Sequence, residues 1–177
     1  IDDKVIEFRR SEFVGPTISN ELFINGLKAV FFAIIAILIY IWFRFEWHFG
    51  FGAVIALVHD VFITLGILSL FKIDFNLSTI AAILTIAGYS INDTVVIYDR
   101  VRENLRKYKK TELLSLLNLS LNNTFSRTIM TSLTTLIALF SLYFLGGEVI
   151  KSFSFTMIIG VIIGTYSSIF VATPILK

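Results

Sequence analysis

Asp60 and Asp93 are the residues of this chain best placed to do chemistry, because each is a carboxylate inside a long, mostly apolar run. A charge at the centre of a bilayer costs at least ~2.5–3.5 kcal/mol, so such a residue faces a partner or a water-filled path. Asp60 follows His59 near the middle of its run; the two are either relay groups or a local hydrogen-bonded pair that fixes helix packing. Asp93 follows Asn92 about two turns inside the end of its own run. A carboxylate caught between a low-dielectric surrounding and a cation changes protonation state when its neighbours move. A proton relay needs that property. Arg127 is the candidate cation, with a topology anchor as its plainer role. Thr128, Thr131, Thr134 and Thr135 follow it, with Ser132 beside them. Their hydroxyls either line a wet path between helices or bond back to their own helix backbone. The absence of cysteine excludes disulfides and thiolate chemistry, and two histidines leave little room for a zinc site. No metal and no cofactor are expected; protons are the coupling ion.

The elements that must carry these residues are membrane helices. Of 177 residues, 56% are hydrophobic and 16% charged, against ~45–50% and ~25% in a soluble domain. The excess is concentrated in stretches of about 20 residues, the length that crosses a bilayer core. An ordinary soluble globule, a disordered chain and a large water-soluble catalytic domain are thereby excluded. The spans are expected at about 24–43, 49–71, 77–98, 128–145 and 152–172, with Lys28 snorkelling from the first. The fold class is all-α, a polytopic transmembrane helix bundle. A basic loop, 99–127, separates the third and fourth spans.

Lysine and arginine in alternate loops set the orientation. One side carries nine, seven of them from Arg100 to Arg127, and the other carries five. The basic loop and Lys177 are therefore expected in the cytoplasm and the N-terminal tail outside. Trp42 and Trp47 flank Arg44, as an interfacial aromatic belt does. Residues 1–23 are expected to end an extracytoplasmic domain: Lys4 to Arg9 alternates charged and apolar residues, a strand pattern, and Gly15-Pro16 reads as a turn. A lone strand is not stable, and the sequence opens on Ile1, so a preceding segment is expected. Leu113, Leu114, Leu116, Leu117 and Leu121, after Thr111 as N-cap, suit a helix lying on the membrane surface. Gly88 marks a close approach of backbones near Asp93. Gly160 and Gly164, continued by Ser168, form a small-residue packing face.

The stretch Tyr89-Ser90-Ile91-Asn92-Asp93-Thr94-Val95-Val96-Ile97-Tyr98-Asp99-Arg100-Val101-Arg102-Glu103-Asn104 closely resembles the signature of the SecF family. Ser126 to Thr135, Val58-His59-Asp60, Gly146 to Ile150 and Gly164 to Ser168 resemble it as well. The resemblance runs from about Val14 onward. It implies half of an RND-type fold, with this chain corresponding to helices two to six of six and to the last strand of a periplasmic domain. It implies a bacterial inner-membrane protein that works with SecD and the SecYEG translocon, drawing on the proton gradient to move unfolded preproteins outward, without covalent chemistry. The family's membrane carboxylate and arginine match Asp93 and Arg127. The lipid bilayer is a further partner and nucleic acid is not one. An RND-type exporter of small molecules or lipids shares the architecture, and a helper that only stabilises the translocon is the blandest reading. An aspartyl protease dyad of Asp60 and Asp93 is disfavoured, since Ser90-Ile91-Asn92 stands where such proteases carry Gly-x-Gly.

Overall fold

The computed structural model describes residues 16–44, 47–73 and 75–177. Five long helices follow one another: α1 (Pro16–Arg44), α2 (Trp47–Leu70), α3 (Leu77–Lys107), α4 (Leu113–Leu145) and α5 (Glu148–Ser167). A π-helical turn, Ser168–Ala172, and a 3₁₀ turn, Pro174–Leu176, end the chain. All five helices are long and apolar enough to cross a membrane. The expected strand at Lys4–Arg9 lies outside the described residues.

The bundle is apolar outside and partly polar within. Phe31, Phe32, Trp42, Phe43, Phe62 and Leu145 are exposed, Phe43 at 90%. In water such a surface would aggregate; against lipid tails it needs no further partner. Asp60, Thr64, Ser90, Asp93, Thr94, Ser154, Thr156 and Ser167 are buried instead. Lipid supplies no hydrophobic drive between helices, so small and polar residues that pack closely or bond across the interface collect inside. α5 is central, packed against α2, α3 and α4.

Three boundaries differ from those the sequence suggests. α1 starts at Pro16, ahead of the span expected from about 24; proline suits a first helical turn, where its missing N–H has no intrahelical acceptor. α3 runs on through the basic stretch to Lys107, where the Tyr108 N–H bonds the Asn104 carbonyl. α4 then begins at Leu113, with Glu112 at its N-cap, and continues unbroken to Leu145. The leucine stripe is therefore the first turns of a spanning helix, not a separate helix on the membrane surface. Leu116 and Leu117 are buried in a cluster with Ile41, Phe49, Val101 and Ala172. Asn104 Nδ2 donates to Ser120 Oγ at 2.8 Å, tying the extended ends of α3 and α4 together. The expected loop 99–127 reduces to a connector of residues 108–112.

Tight links join the remaining helices. The Asn76 side chain accepts the Thr79 N–H at 3.0 Å and caps α3. Gly146 bonds back to the Leu142 carbonyl, and Gly147 turns the chain at φ +76°, a conformation that favours glycine, so α5 starts at once at Glu148.

Candidate functional site

α2 and α3 bring the two carboxylates to the interior by different means. Asp60 is wholly buried. Its Oδ1 lies 3.0 Å from His59 Nδ1, and its Oδ2 accepts a hydrogen bond from the Ser90 hydroxyl of α3. Nearby, Ser167 on α5 donates to the Ala56 carbonyl of α2 at 3.4 Å. Asp60 thus sits in a polar node shared by α2, α3 and α5. His59 is part-exposed, so the pair reaches from the bundle interior toward its surface.

Asp93 lies one turn beyond Ser90 on α3 and is also buried, at 2% exposure. Its Oδ1 has no hydrogen-bond partner among the described residues. The charged group that acts on it is Arg127, from α4. Among the ion pairs of the described residues, none joins the two, and Arg127 is exposed. Arg127 therefore stands near enough to influence Asp93 without neutralising it. A guanidinium on a flexible stem can close the remaining gap directly or through a water. The neighbouring Thr128 is buried, and its Oγ1 also lacks a partner. An unsatisfied buried oxygen costs roughly 1–3 kcal/mol, so both atoms favour a water, as do Thr64 Oγ1 and Ser154 Oγ elsewhere in the bundle, and the carboxylate also favours a proton.

The other hydroxyls bond back to their own helix, as one of the two expectations had it, or directly across to a neighbouring helix. Thr131 donates to the Arg127 and Thr128 carbonyls, and Thr134 to the Met130 and Thr131 carbonyls. These are bonds within the helix. Thr135 donates to the Thr131 carbonyl and accepts from the Tyr89 hydroxyl at 3.1 Å, which links α4 to α3. Ser132 and Thr165 share a hydrogen bond of 2.6 Å between α4 and α5. Tyr89 and Thr165 lie within the motif stretches, but their part in these bonds has no signal in the sequence, because the partner hydroxyls come from a helix more than 30 residues away. Asn92, next to Asp93, is exposed.

The glycines also separate. Gly160 and Gly164 of α5 are buried against α3. A Cβ on Gly160 would run into the Ile86 side chain, and one on Gly164 would lie 3.0 Å from Ser90 Cβ. The small-residue face thus lets α5 press on the turn of α3 that carries Ser90. Gly88 does not behave as expected: it is exposed, and a Cβ there would meet nothing within 4 Å. Its side of α3 points away from the face on which Ile86 and Ser90 meet α5.

Residues 2–177 match the family described as "Protein export membrane protein SecD/SecF, C-terminal". The chain is 58% identical over 170 residues to the protein translocase subunit SecF of Rickettsia rickettsii, covering 96% of this chain and 55% of the relative. It is 57% identical over 170 residues to the same subunit from Rickettsia prowazekii, with the same coverage. The chain thus spans about half the length of these curated relatives. The crystal structure of SecDF from Thermus thermophilus, described as a translocon-associated membrane protein, superposes with a TM-score of 0.86 at 47% identity. That match covers 92% of this chain and 22% of the other. A super-membrane-facing form of SecDF matches with a TM-score of 0.81 at 44% identity.

Proposed function

The chain belongs to the SecD/SecF family of protein-export membrane proteins, and we propose that it is the membrane part of a SecF-type translocase subunit that couples proton movement to preprotein export. In this reading it works with SecD and the SecYEG translocon in a bacterial inner membrane. The basic ends of α1 and α3 face the cytoplasm. The observation that carries the proposal is the buried Asp93 carboxylate, one oxygen of which has no hydrogen-bond partner among the described residues, acted on by Arg127 from the next helix, which makes no ion pair among them.

Protonation of Asp93 removes its attraction to Arg127, and deprotonation restores it. Each step changes which arrangement of α3 and α4 is favoured. One charge crossing 100 mV supplies ~2.3 kcal/mol, enough to shift an equilibrium of a few kcal/mol between two helix packings. Asp60, held by His59 and Ser90 a turn away, belongs to the same polar interior. In the proposal it supports the relay, with Thr128, Thr131 and Thr135 lining the α4 side. No bond to the preprotein is made or broken in this cycle.

The test is preprotein translocation into vesicles carrying the full-length protein, with and without a proton gradient. Asp93→Asn should abolish the gradient-dependent stimulation while leaving the complex assembled. Stimulation that survives in Asp93→Asn would remove the coupling role.

A further inference from the structure

At the basic end of the bundle, α1 stops at Arg44 and α3 continues outward. Arg44 bonds both oxygens of Asp99 on α3, at 3.0 and 3.1 Å. Beyond that bridge an open cleft of about 510 Å³ is lined by Arg44, Asp99, Arg102, Glu103, Arg106 and Lys107. Four of the six are cations. Asp99 is engaged by Arg44, and Glu103 is engaged by Arg100 at 2.6 Å. Arg102, Arg106 and Lys107 have no carboxylate partner among the described residues. The Nε of Arg102 is buried and makes no hydrogen bond. A buried guanidinium donor without an acceptor is costly, and a tetrahedral anion satisfies guanidinium forks well.

Depth in the membrane narrows the class of anion. The Arg44–Asp99 bridge lies where the apolar part of α1 ends, beside the exposed Trp42 and Trp47, so it marks the edge of the hydrocarbon. At 1.5 Å per residue, Arg102 lies ~4.5 Å and Arg106 ~10 Å further along α3. The headgroup layer is about 5–7 Å deep on each side. Arg102 therefore stands in that layer, and the longer side chains of Arg106 and Lys107 can fold back into it. At the same end of the bundle, Leu38, Trp42, Trp47, Gly50 and Phe51 line an apolar hollow of about 330 Å³ on the lipid-facing surface, which suits an acyl chain.

We propose that the cleft between the end of α1 and the outward extension of α3 binds the phosphodiester headgroup of an anionic membrane lipid, with Arg102, Arg106 and Lys107 as its ligands. The site is independent of the proton-coupling reading, since none of its residues belongs to the Asp93–Arg127 arrangement. Its chemistry is that of any phosphate anion; the depth of Arg102, together with an apolar hollow at the same end of the bundle, assigns it to a lipid.

Native mass spectrometry of the purified protein, titrated with phosphatidylglycerol or phosphatidylcholine in detergent, tests this. Phosphatidylglycerol should be retained preferentially. Each cation at an anionic surface is worth roughly fivefold in affinity, so Arg102→Gln/Arg106→Gln/Lys107→Gln should weaken retention by about 100-fold and Arg102→Gln alone by about fivefold. The single variant keeps the test usable should the triple one fold poorly. Lys109→Gln/Lys110→Gln, a charge change outside the cleft, should leave retention unchanged. Equal retention of the two lipids, or equal loss in the Lys109/Lys110 variant, would overturn the proposal in favour of diffuse attraction. Displacement of phosphatidylglycerol by millimolar inorganic phosphate would overturn the lipid assignment and leave a soluble-anion site.

Discussion

The Ser90 hydroxyl on α3 donates to the Asp60 carboxylate on α2, one turn before Asp93 on the same helix. That bond and the contact with His59 occupy both Asp60 oxygens. Asp93, in contrast, keeps an oxygen with no partner. Two carboxylates of similar burial thus stand in different states of satisfaction, and the unsatisfied one is better able to respond to a proton.

The difference predicts how the two sites answer to mutation. Ser90→Ala removes the donor to a wholly buried carboxylate and should cost about 1–3 kcal/mol of stability, read as a lowered thermal midpoint in detergent. Asp60→Asn should also lower stability but retain part of the gradient-dependent export that Asp93→Asn loses. A well-folded Asp60→Asn protein with no gradient-dependent export would place Asp60 in the proton path itself.

Arg127 carries the second prediction. It is exposed and makes no ion pair among the described residues, so Arg127→Gln should change folding stability by no more than ~0.5 kcal/mol. The same change should remove gradient-dependent export, because Asp93 then has no cation to attract. Arg127→Lys keeps the charge but loses the planar fork and its reach, and should retain a fraction of the activity. Full export in Arg127→Gln would make the residue a topology anchor.

Much of this was legible in the sequence, for a definite reason. A run of about 20 apolar residues is a strong signal, and a carboxylate inside one stands out against it. The continuation of α3 past Asp99 was not legible in the same way. Val101 and Leu105 repeat at helical spacing, but Arg100 to Lys110 is charged enough to read as a loop, and the packing that keeps the first part helical, a buried cluster shared by Val101, Leu116 and Leu117 and the Asn104–Ser120 bond, comes from a helix that starts later in the chain. The leucine stripe was ambiguous for the same reason: amphipathicity does not say whether the apolar face meets lipid or a neighbouring helix. The side of α3 on which Gly88 lies was equally hidden, since a glycine in an apolar run has no side chain to indicate its direction.

The α3–α5 contact supplies a third prediction. Gly160 leaves no room for a side chain beside Ile86. Gly160→Leu should force the helices apart and cost roughly 1–3 kcal/mol or more, read as a lower thermal midpoint in detergent. Gly88→Leu, on the open side of the same α3 segment, should leave the midpoint of the isolated chain unchanged. Equal effects at the two positions would mean that the small-residue face of α5 does not determine the packing.

The last prediction concerns the end of α5. Tyr98 is fully buried, packs edge-to-face on Phe49 at 5.3 Å and donates its hydroxyl to the Ala172 carbonyl at 2.8 Å. Ala172 closes the π-helical turn, where carbonyls run out of helical N–H partners, so the tyrosine satisfies a group the helix end cannot. Gly52 on α2 makes room for that hydroxyl: a Cβ there would collide with it, while its next neighbours, the Ala172 carbonyl oxygen and Ile175 Cγ2, lie 3.5 Å away. Gly52→Ala should therefore destabilise by overpacking, roughly 1–3 kcal/mol. Tyr98→Phe should cost about 1 kcal/mol for the lost bond. In the double variant the methyl group occupies the space the hydroxyl leaves, so its cost should fall below the sum of the two single costs by at least ~0.5 kcal/mol. Equilibrium unfolding of the four proteins in mixed detergent micelles measures the coupling. Strict additivity would show that Gly52 serves some contact other than the one with Tyr98.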